Sequence, residues 1–207
     1  MGETNMPVNI IFDIGGVVIN FDPKGYLAQN FPQGDHAQKL YDAVFGSPEW
    51  DLFDRGDISF AQAAQVFTAR GDALGLAAEM AQTVADAFDL LSTRPTMAAL
   101  IQKLHGLGVP MYYLSNMSPE VKDLMGQRDF WHLFSGGIAS SDVGLLKPDP
   151  AFYLLLLERY GLTAAECLFM DDTPANVKAA KQLGFDARHF TGDDVLLRAL
   201  AEKGIEL

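Results

Sequence analysis

Three apolar runs in this chain stop on side chains that can do chemistry, and this limits the fold more than any other feature. Val8-Asn9-Ile10-Ile11-Phe12 ends at Asp13, Val109-Pro110-Met111-Tyr112-Tyr113-Leu114 ends at Ser115, and Cys167-Leu168-Phe169-Met170 ends at Asp171-Asp172. Short runs rich in β-branched and aromatic residues read as buried strands. Gly137-Ile138-Ala139 and Ala187-Arg188-His189-Phe190 are weaker strand candidates. Helix signals lie between them. Ser118-Pro119, Asp149-Pro150 and Thr173-Pro174 each place a capping residue before a first-turn proline. Gly106, Gly161 and Gly184 close the helical patterns. From about residue 95 onward, helix and strand alternate. The pattern predicts an α/β three-layer sandwich, a parallel Rossmann-like sheet with helices on both faces.

Residues 23–91 read differently. Phe60, Ala63, Ala64 and Phe67 recur at helical spacing. Ser59 and Gln62 form a capping box ahead of that helix, with Ile58 placed as its hydrophobic staple. The expected division is therefore an α/β core made of 1–22 and 92–207 and an inserted all-helical cap of 23–91.

Composition removes several classes of function. Lys and Arg number 15 against 27 Asp and Glu, a formal charge of −12, and such a surface repels a nucleic-acid backbone. One cysteine, Cys167, makes no internal disulfide and no cysteine-rich zinc site, and its apolar setting reads as a buried, inert thiol. His36, His105, His132 and His189 are scattered without metal-ligand spacing. The start, MGETNMPVNI, shows no leader pattern, and no apolar run is long enough to cross a membrane. The expectation is a cytoplasmic protein without nucleic-acid or membrane partners; the sequence leaves its oligomeric state open.

The positions of the chemical residues matter more than their types. In an open parallel sheet, ligands bind beyond the carboxyl ends of the strands. Asp13, Ser115 and Asp171-Asp172 would converge there, with helix N-termini near Ser118 and Thr173 favouring an anion. Three converging carboxylates repel one another, and a divalent cation with a taste for oxygen, magnesium, would relieve them. Taken singly each residue has a plainer reading: Asp13 or Ser115 as a turn residue, Asp171-Asp172 as a solvated acidic turn, Lys147 as a surface lysine. Together they suit a phosphate ester.

Four segments carry a family resemblance. Ile10-Ile11-Phe12-Asp13-Ile14-Gly15-Gly16-Val17, Leu114-Ser115-Asn116, Lys147-Pro148-Asp149-Pro150 and Leu168-Phe169-Met170-Asp171-Asp172-Thr173-Pro174-Ala175-Asn176 resemble the four ordered motifs of the haloacid dehalogenase superfamily. The helical block matches the small cap inserted after the first motif, so the resemblance covers essentially the whole chain. It implies a magnesium-dependent phosphatase acting on a small phosphorylated metabolite, a sugar phosphate first; the residue at position 15, below, adds a preference for a sugar 1-phosphate, whose anomeric leaving group departs more easily. Asp13 would be the nucleophile that becomes an aspartyl phosphate. Ser115 and the backbone N–H of Asn116 would hold the phosphate oxygens. Lys147 would neutralise charge. Asp13, the carbonyl of Gly15 and Asp172 would bind magnesium, with Asp171 helping directly or through water.

One position departs from the family pattern. Most phosphatases of the superfamily carry a second Asp two residues after the nucleophile, as general acid and base, and here that position is Gly15. Such help is typically worth about 10²–10⁴ in rate. Two rivals follow: a 2-haloacid dehalogenase that works without metal, and a binding or regulatory protein that keeps the pocket but not the turnover. Trp50, Phe53 and Arg55 of the cap are candidates for the substrate entrance, with plainer roles in the core for the aromatics and at the surface for the arginine.

Overall fold

The computed structural model describes residues 8–207; the opening segment MGETNMP, part of the stretch in which no leader was read, lies outside the described residues. The chain begins with strand β1 (Asn9–Phe12) and a two-residue strand β2 (Ile19–Asn20). Five helices follow: α1 (Pro23–Asn30), α2 (His36–Ala43), α3 (Pro48–Asp54), α4 (Phe60–Leu74) and α5 (Ala77–Asp86). Strand β3 (Ser92–Thr93) then pairs antiparallel with β2. This small ribbon stands where the chain leaves and rejoins the core, and its shortness hid it from the sequence reading.

The remainder alternates as the pattern predicts. Helix α6 (Pro95–Gly106) leads to β4 (Met111–Ser115), then α7 (Pro119–Gly126) and β5 (Gly136–Ala139). Next come α8 (Pro150–Tyr160), β6 (Cys167–Asp171), α9 (Pro174–Gln182), β7 (Asp186–His189) and α10 (Asp193–Glu202). The five long strands form one parallel sheet in the order β5-β4-β1-β6-β7.

Alternation along the strands builds two cores. Ile10, Phe12, Met111, Tyr113, Leu168 and Met170 face one layer of helices. Ile11, Leu114, Cys167 and Phe169 face the other. A parallel sheet covered on both faces needs such near-continuous apolar strands, and each fully buried side chain of this size contributes about 1.5–3 kcal/mol. Strand β5 gave a weak signal for a steric reason. A Cβ on Gly137 would lie 2.3 Å from the Tyr113 ring, and one on Gly136 would lie 2.4 Å from the Tyr160 ring. Bare backbone is what lets the two tyrosines cover this edge.

Local signals account for the helix ends. Ser118 accepts the N–H of Val121, and the Ser59–Gln62 capping box forms as the spacing requires. Gly161 caps α8 in the left-handed conformation, φ 63°. Helix α6 ends at Gly106, as expected, and the left-handed reversal beyond it falls on Gly108, φ 72°. Cys167 is buried, its Sγ donates to the carbonyl of Thr163, and burial pushes the thiol up to about 12, so it stays protonated. No helix among the described residues is long and apolar enough to cross a membrane.

Candidate active site

Strand register brings the predicted residues together. Phe12 pairs with Tyr113 on one side and with Met170 on the other, so Asp13, Ser115 and Asp171 leave the sheet at the same edge. Asp13 Oδ1 accepts three hydrogen bonds: from the N–H of Ile14 at 2.7 Å, from Ser115 Oγ at 2.8 Å and from Lys147 Nζ at 2.9 Å. Lys147 reaches on to Asp171 Oδ2 at 2.7 Å, and its side chain is 1% exposed. It is therefore a buried bridge and not the surface lysine that it resembles in isolation.

The structure gives two asparagines work that the sequence reading did not assign. The side chain of Asn116 clamps the backbone of Lys147, accepting its N–H at 2.8 Å and donating to its carbonyl at 3.2 Å. Asn176, on the first turn of α9, donates to both oxygens of Asp171 at 3.0 and 3.1 Å. Asp171 also accepts the N–H of Thr173 at 2.8 Å. Both oxygens of this fully buried carboxylate are thus committed to protein donors. Both lie inside family motifs, Asn176 with no role assigned and Asn116 read only for its backbone N–H.

Asp172 is placed differently. It is half-buried, and the hydroxyl of Thr173 approaches it only at 3.4 Å. The hydrogen bonds to Asp13 all fall on Oδ1. Ligand oxygens of Asp13, Asp171 and Asp172 lie within 4.8 Å of one another. Three carboxylates face one ammonium, and the imbalance is felt at Asp13 and Asp172. Burial pushes Asp13 up against the pull of Lys147, with Asp171 and Asp172 adding to the rise. Burial and the Asp171 charge likewise raise Asp172. Burial alone would lower Lys147, but Asp13 and Asp171 outweigh it and hold the ammonium charged. Crowded, oxygen-only and short of positive charge, the donor set fits a hard divalent cation.

The two adjacent glycines differ. Gly16 has φ 73°, and a Cβ there would lie 2.2 Å from Asp172 Oδ2. Gly15 lies outside the left-handed region, and a Cβ there would meet the Phe21 side chain at an ordinary 3.7 Å. Position 15 therefore has room for a side chain and does without one.

Above the strand ends lies a cleft with two parts. An open, polar mouth of about 520 Å³ is lined by Asp13, Lys147 and Asp172 from the core, by Asp22 and Lys24 at the start of α1 and by Tyr41 of α2. An inner pocket of about 60 Å³ is apolar, with Phe21, Trp50, Phe53 and Phe88 among its walls. Trp50 and Phe53 thus serve the cleft as well as the packing of the insert, whereas Arg55 pairs with Asp57 at 2.9 Å and lines neither part. Gly15, Ser115, Asn116 and Asp54 line both parts. Asp54, the last residue of α3, stands between Phe53 and Arg55 and was passed over in the sequence. Its carboxyl is pushed up to about 8, first by burial and then by the charges of Asp51 and Asp13, against smaller pulls from Lys147 and the Trp50 indole.

Comparison with known proteins agrees with this geometry. The sequence profile of the haloacid dehalogenase-like hydrolases matches residues 9–184, and the chain belongs to that family. It is 31% identical over 183 residues to the sesquiterpene phosphatase astK of Aspergillus oryzae, covering 87% of this chain and 88% of that one. It is 26% identical over 185 residues to the fructose-1-phosphate phosphatase YqaB of Escherichia coli, covering 86% and 93%. Other curated relatives are longer, and the chain spans less than half of their length. Among solved structures, a predicted HAD-like family hydrolase from Porphyromonas gingivalis superimposes with a TM-score of 0.69 at 25% identity, covering 98% of this chain and all of that one. The protein is a hydrolase of this family with an α/β core, and its curated relatives include phosphatases.

Proposed function

We propose that the chain is a magnesium-dependent phosphatase that hydrolyses a small phosphorylated metabolite through an aspartyl phosphate on Asp13. The observation that carries this reading is the Lys147 bridge between two of three converging carboxylates at the strand ends. The bridge leaves the site negative in itself, so a phosphate ester needs a further cation there. Asp13, the carbonyl of Gly15 and Asp172 would hold it, and when bound it supplies charge neutralisation for the phosphoryl oxygens. Asp171, its oxygens committed, positions Lys147.

The chain's own residues then have defined tasks. Asp13 attacks phosphorus with a carboxylate oxygen. Ser115 Oγ, now donating to Asp13, and the N–H of Asn116 orient the phosphoryl oxygens. Lys147 screens the repulsion between the carboxylate and the phosphate. The polar mouth, with Asp22, Lys24 and Tyr41 on its walls, offers hydrogen-bond partners to a sugar, which favours a sugar phosphate. The similarity to a fructose-1-phosphate phosphatase leans the same way. A cytoplasmic setting accords with such a substrate.

A screen of phosphorylated metabolites, with sugar 1-phosphates, sugar 6-phosphates and prenyl phosphates side by side, tests the reading. Phosphate release should require magnesium, stop with a chelator and disappear in Asp13→Asn. Release that survives both treatments would refute it. Halide release from 2-haloacids without metal would favour the dehalogenase instead, although carboxylates not offset by a cation disfavour a carboxylate substrate.

A further inference from the structure

We infer that Asp54, carried by the cap helix α3, is the general acid and base of this site, taking the task that position 15 cannot perform. The inference rests on the phosphatase reading above and goes beyond it by naming a catalytic residue outside the four motifs. Four carboxylates face the cleft: Asp13, Asp22, Asp54 and Asp172. Asp13 is the nucleophile and Asp172 belongs to the cation. Asp22 accepts the N–H of Gly25 at 2.8 Å as the N-cap of α1. Asp54 is left, and like Gly15 it borders both the polar mouth and the inner pocket.

Its placement is built, not incidental. Ser140 Oγ, just beyond the end of β5, donates to the backbone carbonyl of Asp54 and accepts the N–H of Met117 at 2.8 Å. A single hydroxyl thus ties the cap residue to the segment that follows Ser115 and Asn116. Two residues beyond Asp54, Gly56 has φ 78°, and a Cβ there would lie 3.2 Å from Ser141 and 3.4 Å from Pro119. That close approach seats the end of α3 against the start of α7 and the turn after β5. The groups acting on the Asp54 carboxyl come from both sides: Trp50 and Asp51 from its own helix, Asp13 from the end of β1 and Lys147 from the loop before α8. Burial and the two like charges prevail, so the carboxyl carries a proton near neutral pH, the form an acid needs.

The proton inventory closes. In the first step Asp13 forms a bond to phosphorus, the bond from phosphorus to the leaving oxygen breaks, and the Asp54 proton goes to that oxygen, releasing the alcohol. In the second, a water attacks the aspartyl phosphate and gives its proton to the Asp54 carboxylate. The bond from phosphorus to Asp13 breaks, inorganic phosphate leaves, and both aspartates return to their starting forms.

The test compares an alkyl with an aryl phosphate, since a phenolate departs without a proton and an alkoxide does not. In Asp54→Asn, the alkyl-to-aryl ratio of kcat/KM should fall by about 10²–10⁴. The decline of alkyl-ester turnover above about pH 8 should vanish. The aryl ester should show a burst of phenolate, because the aspartyl phosphate then waits for unassisted water. Gly15→Asp in the Asp54→Asn background should recover much of the ratio, because the site has room for that Cβ. Asp72→Asn, exposed on helix α4 of the insert and absent from the groups acting on Asp54, should leave the ratio in place. A wild type active on both esters, with an unchanged ratio in Asp54→Asn or an equal loss on both, overturns this inference and leaves the phosphatase reading standing. A folded wild type inert toward every phosphate ester overturns both.

Discussion

The sheet and the helical insert hold their functional side chains by different physics. In the sheet, hydrogen-bonded register fixes where each strand ends, so Asp13, Ser115 and Asp171 meet because Phe12 is paired with both Tyr113 and Met170. In the insert, short helices are fixed by aromatic packing: Phe45 on Trp50 with ring centroids at 4.7 Å, Trp50 on Phe53 at 5.6 Å, Phe60 on Phe88 at 4.8 Å. Register positions groups along a repeating lattice. Aromatic packing positions them only as well as neighbouring rings fit. The contrast suggests a division of labour, in which the sheet handles the phosphoryl group and the insert handles what leaves it.

Substitutions on the two sides sharpen that division. The largest effect is expected from Asp13→Asn, which should lower turnover of any ester by about 10⁴-fold or more while circular dichroism stays native. Lys147→Ala should cost about 10²–10³ in kcat. Without metal, it should also cost about 3–5 kcal/mol in urea unfolding, because two buried carboxylates lose their partner. Gly16→Ala drives a methyl into Asp172 and should weaken magnesium binding by about 10–100-fold in calorimetry, with Gly15→Ala much milder. On the insert's side, Ser140→Ala removes the hydroxyl between Asp54 and Met117. It should change kcat for alkyl esters more than KM, with a stability loss of about 1 kcal/mol. A loss equal for alkyl and aryl esters would break the proposed division.

A pH dependence is also expected in the metal-free protein. Asp54 binds its proton more tightly in the folded state than in the unfolded one, so stability is greatest below the ordinary carboxylate range and declines as pH rises toward about 8. Asp54→Asn should make that decline shallower in thermal melts taken between pH 5 and 9, with the remainder coming from Asp13. An unaltered slope would remove Asp54 as a source of it.

How much of this was legible in the sequence follows the same line. The alternation after residue 95 gave the strands and helices in order, because a sheet buried on both faces demands apolar runs with chemistry at their ends. The weak signal of β5 has a cause in Tyr113 and Tyr160, whose rings take the space that side chains on Gly136 and Gly137 would need. Gly15 was readable as a missing carboxylate. The candidate replacement was not, because Asp54 reaches the cleft through the fold of the insert and a hydroxyl far away in sequence. The fates of Asp171 and Asp172 were likewise hidden: adjacent in sequence, one is saturated by Lys147, Asn176 and Thr173 and the other is left open to the cleft.

The central claim is covalent phosphoryl transfer to Asp13, and one isotope experiment addresses it directly. A single turnover in heavy-oxygen water, with enzyme in excess over a sugar 1-phosphate, would be followed by mass spectrometry of both the phosphate and the peptide containing Asp13. The account predicts heavy oxygen in the inorganic phosphate and none in Asp13, because water attacks phosphorus, together with an aspartyl phosphate at Asp13 that acid quenching traps before turnover is complete. Heavy oxygen in the Asp13 carboxylate, or turnover with no phosphate ever found on that residue, would contradict it.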